Sequence, residues 1–241
     1  MTKPLRVISL GWGVQSWTLA AMVALKELSP VDYAIHADTG HEVSGTYAHA
    51  KKWTPWLEEH GVKVRTVQGL RTELLREDWG NSTMIPAFTL DPKGKGGQLR
   101  RQCTHDWKIM PIRKFLRGVI GKPIPGAVES WQGISLDEWQ RMRTSDVAYI
   151  INIYPLVELR MTREACVAWL LANNLDVPPK SACTFCPYHS LAAWKEMKRT
   201  GGDDWQEAVA TDEAIRLRRP GYLLSVHPGR KPLSEAVAIP E

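Results

Sequence analysis

The sequence predicts an α/β protein: a parallel, Rossmann-like sheet with helices on both faces, followed by a small helical, cysteine-bearing extension. Three observations predict it. An apolar run at residues 5–10 leads through a glycine loop into a helix-periodic stretch. The same alternation of strand and helix then continues to residue 67. The chain's 241 residues, 44% of them hydrophobic, are enough to bury one large core without a disulfide or metal staple.

Element by element, Leu5 to Leu10 reads as a buried strand, and residues 16–28 as a helix with Leu19, Met22, Val23 and Leu25 on one face. Residues 31–37 form the second strand, 46–59 a helix, and 62–67 the third strand after the stop at Gly61. Between Trp79 and Gln102, Pro86, Pro92 and Gly94-Lys95-Gly96-Gly97 break every period, which predicts a mobile loop. A helix over 106–118 follows, with Pro111 kinking or delaying it, then strands near 126–130 and 147–154. Thr162 caps a helix carrying Ala165, Val167, Trp169, Leu170 and Leu171. Two further helices, 190–199 and 203–218, precede an irregular tail with four prolines. The expected division is a nucleotide-binding domain at 1–160 and an extension at 161–241 packed on it.

Composition excludes disorder, collagen and coiled coil. A net charge of +5 and a pI near 9.0 permit a polyanionic partner such as RNA or DNA. Lys3 and Arg6 before an apolar stretch imitate a secretory leader, but Gly11, Gly13, Gln15 and Ser16 interrupt it. No stretch approaches the roughly 18 apolar residues of a membrane span. The expectation is therefore a cytoplasmic protein with reduced thiols, whose four cysteines are not a disulfide scaffold.

The loop Ser9-Leu10-Gly11-Trp12-Gly13-Val14-Gln15-Ser16 lies between a strand and a helix, where backbone N–H groups and the helix dipole favour an anion. Glycine permits positive φ and close approach to phosphate, and the Ser16 hydroxyl can donate in the first turn. The loop matches neither a Walker loop nor a good dinucleotide fingerprint. Asp38-Thr39-Gly40 ends strand two, and the carboxyl ends of parallel strands flank the binding crevice of such sheets. A plain strand-to-helix turn and a plain strand-ending turn are the bland readings of the two segments.

Together these residues resemble the PP-loop superfamily of adenine-nucleotide enzymes, in particular the branch related to phosphoadenosine phosphosulfate (PAPS) reductase. The resemblance implies phosphate binding by Ser9, Gly11, Gly13, Val14, Gln15 and Ser16, and an adenosine pocket closed by Asp38, Thr39 and Gly40. It implies that Gly133 and Ser135 line the nucleotide, that Arg141 approaches phosphate, and that Asp137 and Glu138 bind magnesium. Ser135 can equally be a helix cap. Asp38, Lys108 and Arg141 are the candidate catalytic side chains. Gln15 stands where ATP pyrophosphatases of the superfamily carry aspartate, so nucleotide binding is better supported than ATP cleavage.

Cys183-Thr184-Phe185-Cys186 is a C-x-x-C turn able to face two sulfurs to one metal, and Cys103 lies in a stretch with Arg100, Arg101 and Lys108. The basic stretch fits nucleotide phosphates, a nucleic-acid backbone or a solvated face. Iron–sulfur reductases of the branch hold a 4Fe-4S cluster with four cysteines. This chain matches three, Cys103, Cys183 and Cys186, with Gln102 in the remaining place. Cys166 is either the fourth ligand or a core residue. A zinc site with His105 or His189, and a metal-free redox pair, are the alternatives. No cysteine follows Cys186, so the C-terminal nucleophile of those reductases is missing. The expected activity is sulfur transfer with ATP or a PAPS-type nucleotide, activating a nucleic-acid base by adenylation and then thiolating it. The alternatives are a sulfonucleotide reductase using a partner thiol, and a non-catalytic zinc and nucleotide module. A sulfur-donor protein and a homodimer are further expected partners, and a membrane is not.

Overall fold

The computed structural model describes residues 3–69 and 83–238. In chain order these carry β1 (Leu5–Ser9), α1 (Val14–Ala24), β2 (Tyr33–Asp38), α2 (Ser44–Glu59), β3 (Val64–Gln68), β4 (Phe88–Leu90) and β5 (Gly96–Gln98). A π-helical turn (Thr104–Ile109) leads into α3 (Met110–Ile120), then β6 (Val128–Gln132), a 3-10 turn (Leu136–Arg141), β7 (Ile150–Ile153), α4 (Pro155–Glu158) and α5 (Arg163–Ala172). The chain closes with α6 (Leu191–Thr200), α7 (Gly202–Ile215), β8 (Leu223–Ser225) and α8 (Leu233–Ala236).

Two compact units share this chain. The first takes the chain up to Asp38, Ser44–Gly69 and Ile109–Ser181; the second takes Thr39–Val43, the chain from 83 to Lys108, and the chain from Ala182. The division therefore does not fall at residue 160. Helix α5 belongs to the first unit because its buried Cys166 and Leu170 join the core cluster of α1.

The first unit is a five-stranded parallel sheet in the order β3-β2-β1-β6-β7. Successive side chains of a strand point to opposite faces. Ile8, Ala34 and Trp131 accordingly join the cluster formed with α1, α2 and α5. Val7, Ile35 and Val128 meet Leu116 of α3 in a separate cluster. The sheet is thus covered on both faces, as an all-parallel sheet requires. Sequence periodicity gave α1 one apolar face, yet every residue of it except Gln15 is buried. Ala20 and Ala21 suit this crowding, since small side chains let neighbouring elements approach closely.

The second unit contains the antiparallel sheet β5-β4-β8 and an apolar cluster that includes Trp107, Phe185, Trp194 and Leu224. The mobile loop predicted between Trp79 and Gln102 falls partly outside the described residues; its described part contains the β4–β5 hairpin. The Asp91 carboxylate accepts the Lys93 and Lys95 N–H groups at 2.9 and 2.7 Å, and Gly94 supplies the positive φ of the turn. The proline-rich tail is likewise ordered by fully buried Asp212, whose two oxygens accept the Val226 and Leu233 N–H groups at 2.8 and 2.9 Å. Among the described residues no helix is long and apolar enough to cross a membrane.

His49 of α2 sits among Trp12, Trp17 and Trp53, with ring centroids 5.8, 5.2 and 6.3 Å away, and its buried Nε2 has no hydrogen-bond partner. Burial outweighs the pull of Asp176 and lowers its pKa from the ordinary 6.5 to about 4. The folded state therefore favours neutral imidazole, and stability present at neutral pH is lost as pH falls from 6.5 towards 4. The loss expected at pH 4 is about 3 kcal/mol. Urea denaturation across this range checks it, and His49→Phe should flatten the dependence.

Candidate functional site

In the first unit, the strand order reverses between β1 and β6, so the carboxyl ends of these two strands open a crevice at a topological switch point. The chain leaving β1 turns there into α1. Gly13 is the N-cap, with extended backbone and no side-chain cap, so the first-turn N–H groups of α1 have no intrahelical acceptor. Helix α1 starts at Val14, two residues before its expected start. Ser16 therefore lies inside the helix. Its hydroxyl accepts the Gly11 N–H at 3.1 Å and donates to the Gly13 carbonyl at 3.2 Å, which fixes the loop's curvature.

The positive φ expected of the loop glycines belongs instead to Trp12, at 56°. That conformation is costly for a bulky residue. Burial of the indole against Trp17 and His49 offsets it. Gly11 and Gly13 serve by absence of a side chain. A Cβ at Gly11 would meet nothing nearer than the Ser16 hydroxyl, 3.8 Å away. Gly133 is different in kind. A Cβ there would stand 2.7 Å from the Ser16 N and Cα, so only glycine lets the chain after β6 pass the helix start.

Gln15 donates to Ser135 at 3.4 Å and to the Glu138 carboxylate at 3.1 Å, and Arg141 donates to the same carboxylate oxygen at 2.7 Å. An aspartate at position 15 would face Glu138 and repel it; the amide joins it. Asp137 accepts the Arg163 N–H at 2.9 Å, and the Ser135 hydroxyl holds its carboxyl below the usual carboxylate range. Asp38 accepts from the Tyr47 hydroxyl at 2.8 Å. The first unit thus gathers Ser9, the loop from Gly11 to Ser16, Asp38, Gly133, Ser135 and Arg141 along the carboxyl edge of one sheet. Tyr47, nine residues after Asp38, carries no sequence signal of this role.

Thr39 and Gly40 belong to the second unit, as do Lys108, Cys103, Cys183 and Cys186. Glu42 pairs with Cys183 in an isolated β-bridge and is nearly fully buried. Its carboxylate accepts from Lys108 Nζ at 2.8 Å. Burial opposes the lysine's charge, but Glu42 and Cys183 outweigh it and hold its pKa above the ordinary value. Burial and Glu42 push the Cys183 thiol up to about 12, against Lys108 and a 3.4 Å contact with the Thr39 hydroxyl. The C-x-x-C turn is fastened by Glu207, which meets His41 Nδ1 at 2.7 Å and accepts from the Thr184 hydroxyl at 2.8 Å. The Thr184 N–H also donates to the His41 carbonyl. Arg101 lies over the Tyr188 ring at 5.4 Å.

Cys166 lies in the first unit's core, fully buried and hydrogen-bonded to Thr18, with burial raising its pKa to about 11. Among the described residues no three His, Cys, Asp or Glu side chains stand close enough to hold one metal ion, so a single tetrahedral ion would require side chains to move. Cys103 and Cys183 pack on one apolar cluster, and beside Cys103 the Thr104 hydroxyl and Trp107 indole N–H are buried without partners.

A scan against models of known protein families gives no match, and neither does a search of curated proteins. Among solved structures, a phosphoadenylyl-sulfate (PAPS) reductase from Candida auris in complex with phosphate is similar. It is 15% identical, with 73% of this chain and 76% of that chain covered and a TM-score of 0.47.

The Glu42–Lys108 pair predicts an asymmetric response. The Glu42 side chain is 1% exposed and that of Lys108 36%. Lys108→Ala strands a buried carboxylate and should cost about 3 kcal/mol or more. Glu42→Gln leaves a lysine that reaches water and should cost distinctly less. Urea titration of both variants tests the order.

Proposed function

We propose that this chain is an adenine-nucleotide-binding enzyme of the PP-loop type. The observation that carries this reading is the start of α1 at the switch point of the parallel sheet, with its first-turn N–H groups beside a loop kept clear of side chains. In this reading the N–H groups of Val14, Gln15 and Ser16 hold the phosphates and Arg141 reaches them from the 3-10 turn. Asp38, oriented by Tyr47, takes a ribose or adenine donor. Glu138, hydrogen-bonded to Gln15 of the loop, is with Asp137 the ligand for magnesium in this reading.

The finer reading is sulfur transfer. An oxygen of a nucleic-acid base attacks the α-phosphate of ATP and pyrophosphate leaves; sulfide then attacks the adenylated base carbon, forming the C–S bond as the C–O bond breaks and AMP leaves. Lys108 supports negative charge in the second unit, beside Cys183. Cys103, Cys183 and Cys186 are the residues that would hold a 4Fe-4S cluster, which when bound supplies one iron without a protein thiolate. The burial of Cys166 in the first unit's core favours three-thiolate ligation over four.

Gly13→Asp tests the nucleotide site cleanly. Aspartate is a good N-cap and its Cβ would meet only Ser181 at an ordinary 3.7 Å, so the fold should be kept or slightly stabilised. Its charge would repel phosphate. Calorimetry with ATP, AMP and PAPS should show affinity abolished while the melting temperature holds; unchanged affinity overturns the assignment.

The thiol assignment predicts iron and acid-labile sulfide in protein purified without oxygen. The visible absorption should be lost in the Cys103→Ala, Cys183→Ala and Cys186→Ala variants and kept in Cys166→Ala. Colourless wild type with one zinc per chain would instead favour the structural module.

A further inference from the structure

Trp139 is 63% exposed, on the 3-10 turn of the first unit. Every other tryptophan among the described residues is held by a ring contact, a cation or a hydrogen bond. A large aromatic side chain left in water forgoes much apolar burial.

Its backbone is firmly set. Leu136 N–H donates to the Met161 carbonyl at 2.8 Å and Met142 N–H to the Trp139 carbonyl at 2.9 Å. Glu138, one residue away, is tied to Gln15 of the phosphate-facing loop and to Arg141. Arg143 Nη1 is fixed on the Gln140 and Met142 carbonyls at 2.8 and 2.7 Å. Arg160 and Arg163, on the adjoining segment, are also exposed. The turn therefore presents one unoccupied indole, with exposed Arg141 and Arg143 two and four residues further along the chain, fastened to the start of α1.

We propose that Trp139 is a stacking platform for an unpaired base of a single-stranded nucleic acid, with Arg143 meeting a flanking phosphate. Every base has a π face, so an exposed aromatic followed closely in the chain by exposed arginines suits a flexible polyanion better than an apolar protein surface. The inference rests on the base-thiolation reading and names its acceptor as single-stranded.

The test is fluorescence anisotropy of short labelled RNA and DNA strands at low salt, beside ATP calorimetry on the same protein samples. Wild type should bind the strands, with affinity falling as salt rises. Trp139→Ala should weaken binding about tenfold, Trp139→Phe should largely restore it, and ATP affinity and melting temperature should stay unchanged. Wild type that binds neither strand, or Trp139→Ala that binds as tightly as wild type, overturns the proposal. A Trp139→Ala protein that loses ATP instead also overturns it and assigns the platform to the adenine ring. Loss of ATP binding in wild type, with strand binding intact, would refute the nucleotide reading and leave the platform standing.

Discussion

The first unit depends on one close approach. At Gly133 the chain leaving β6 passes so near the start of α1 that a methyl group there would stand 2.7 Å from the Ser16 backbone. The approach brings the 3-10 turn within hydrogen-bond reach of Gln15 and so joins Glu138 and Arg141 to the glycine loop. From the other side the indole of Trp12 anchors the same loop in the core. A loop held at both ends can present N–H groups without relaxing onto its own carbonyls, which is the preorganisation an anion site needs.

The second unit is organised around buried carboxylates. Asp212 gathers the proline-rich tail by accepting two backbone N–H groups, and Glu42 holds Lys108 next to the C-x-x-C turn. Buried charges of this kind are expensive unless fully partnered, and the partners here come from segments far apart in the chain. Glu207, itself part-exposed, bridges in the same way, joining His41 to Thr184 and so fixing the turn that carries Cys183 and Cys186.

Most of the first unit was legible because its signals are local. Strand β1, the glycine loop and α1 follow one another within twenty residues, and Thr162 caps α5 as expected, accepting the Ala165 N–H at 3.1 Å. Less was legible where pairing is distant. Strand β4 has three residues and β5 reads Gly-Gly-Gln; neither shows alternation, and the partner β8 lies more than a hundred residues later. The role of Gly11 and Gly13 was legible as a loop but misjudged in mechanism, since it is Trp12 that adopts positive φ.

The sequence by itself determined the α/β class, the position of the glycine loop between a strand and its helix, and the local geometry of the C-x-x-C turn, because periodicity and short spacing act over a few residues. Only the tertiary structure decided where Cys166 belongs, which acid meets Gln15, which carboxylate neutralises Lys108, and that Trp139 alone among the described tryptophans remains without a partner. Each of these is a choice among chemically equivalent residues, and it is made by which segments the packing of apolar faces brings together.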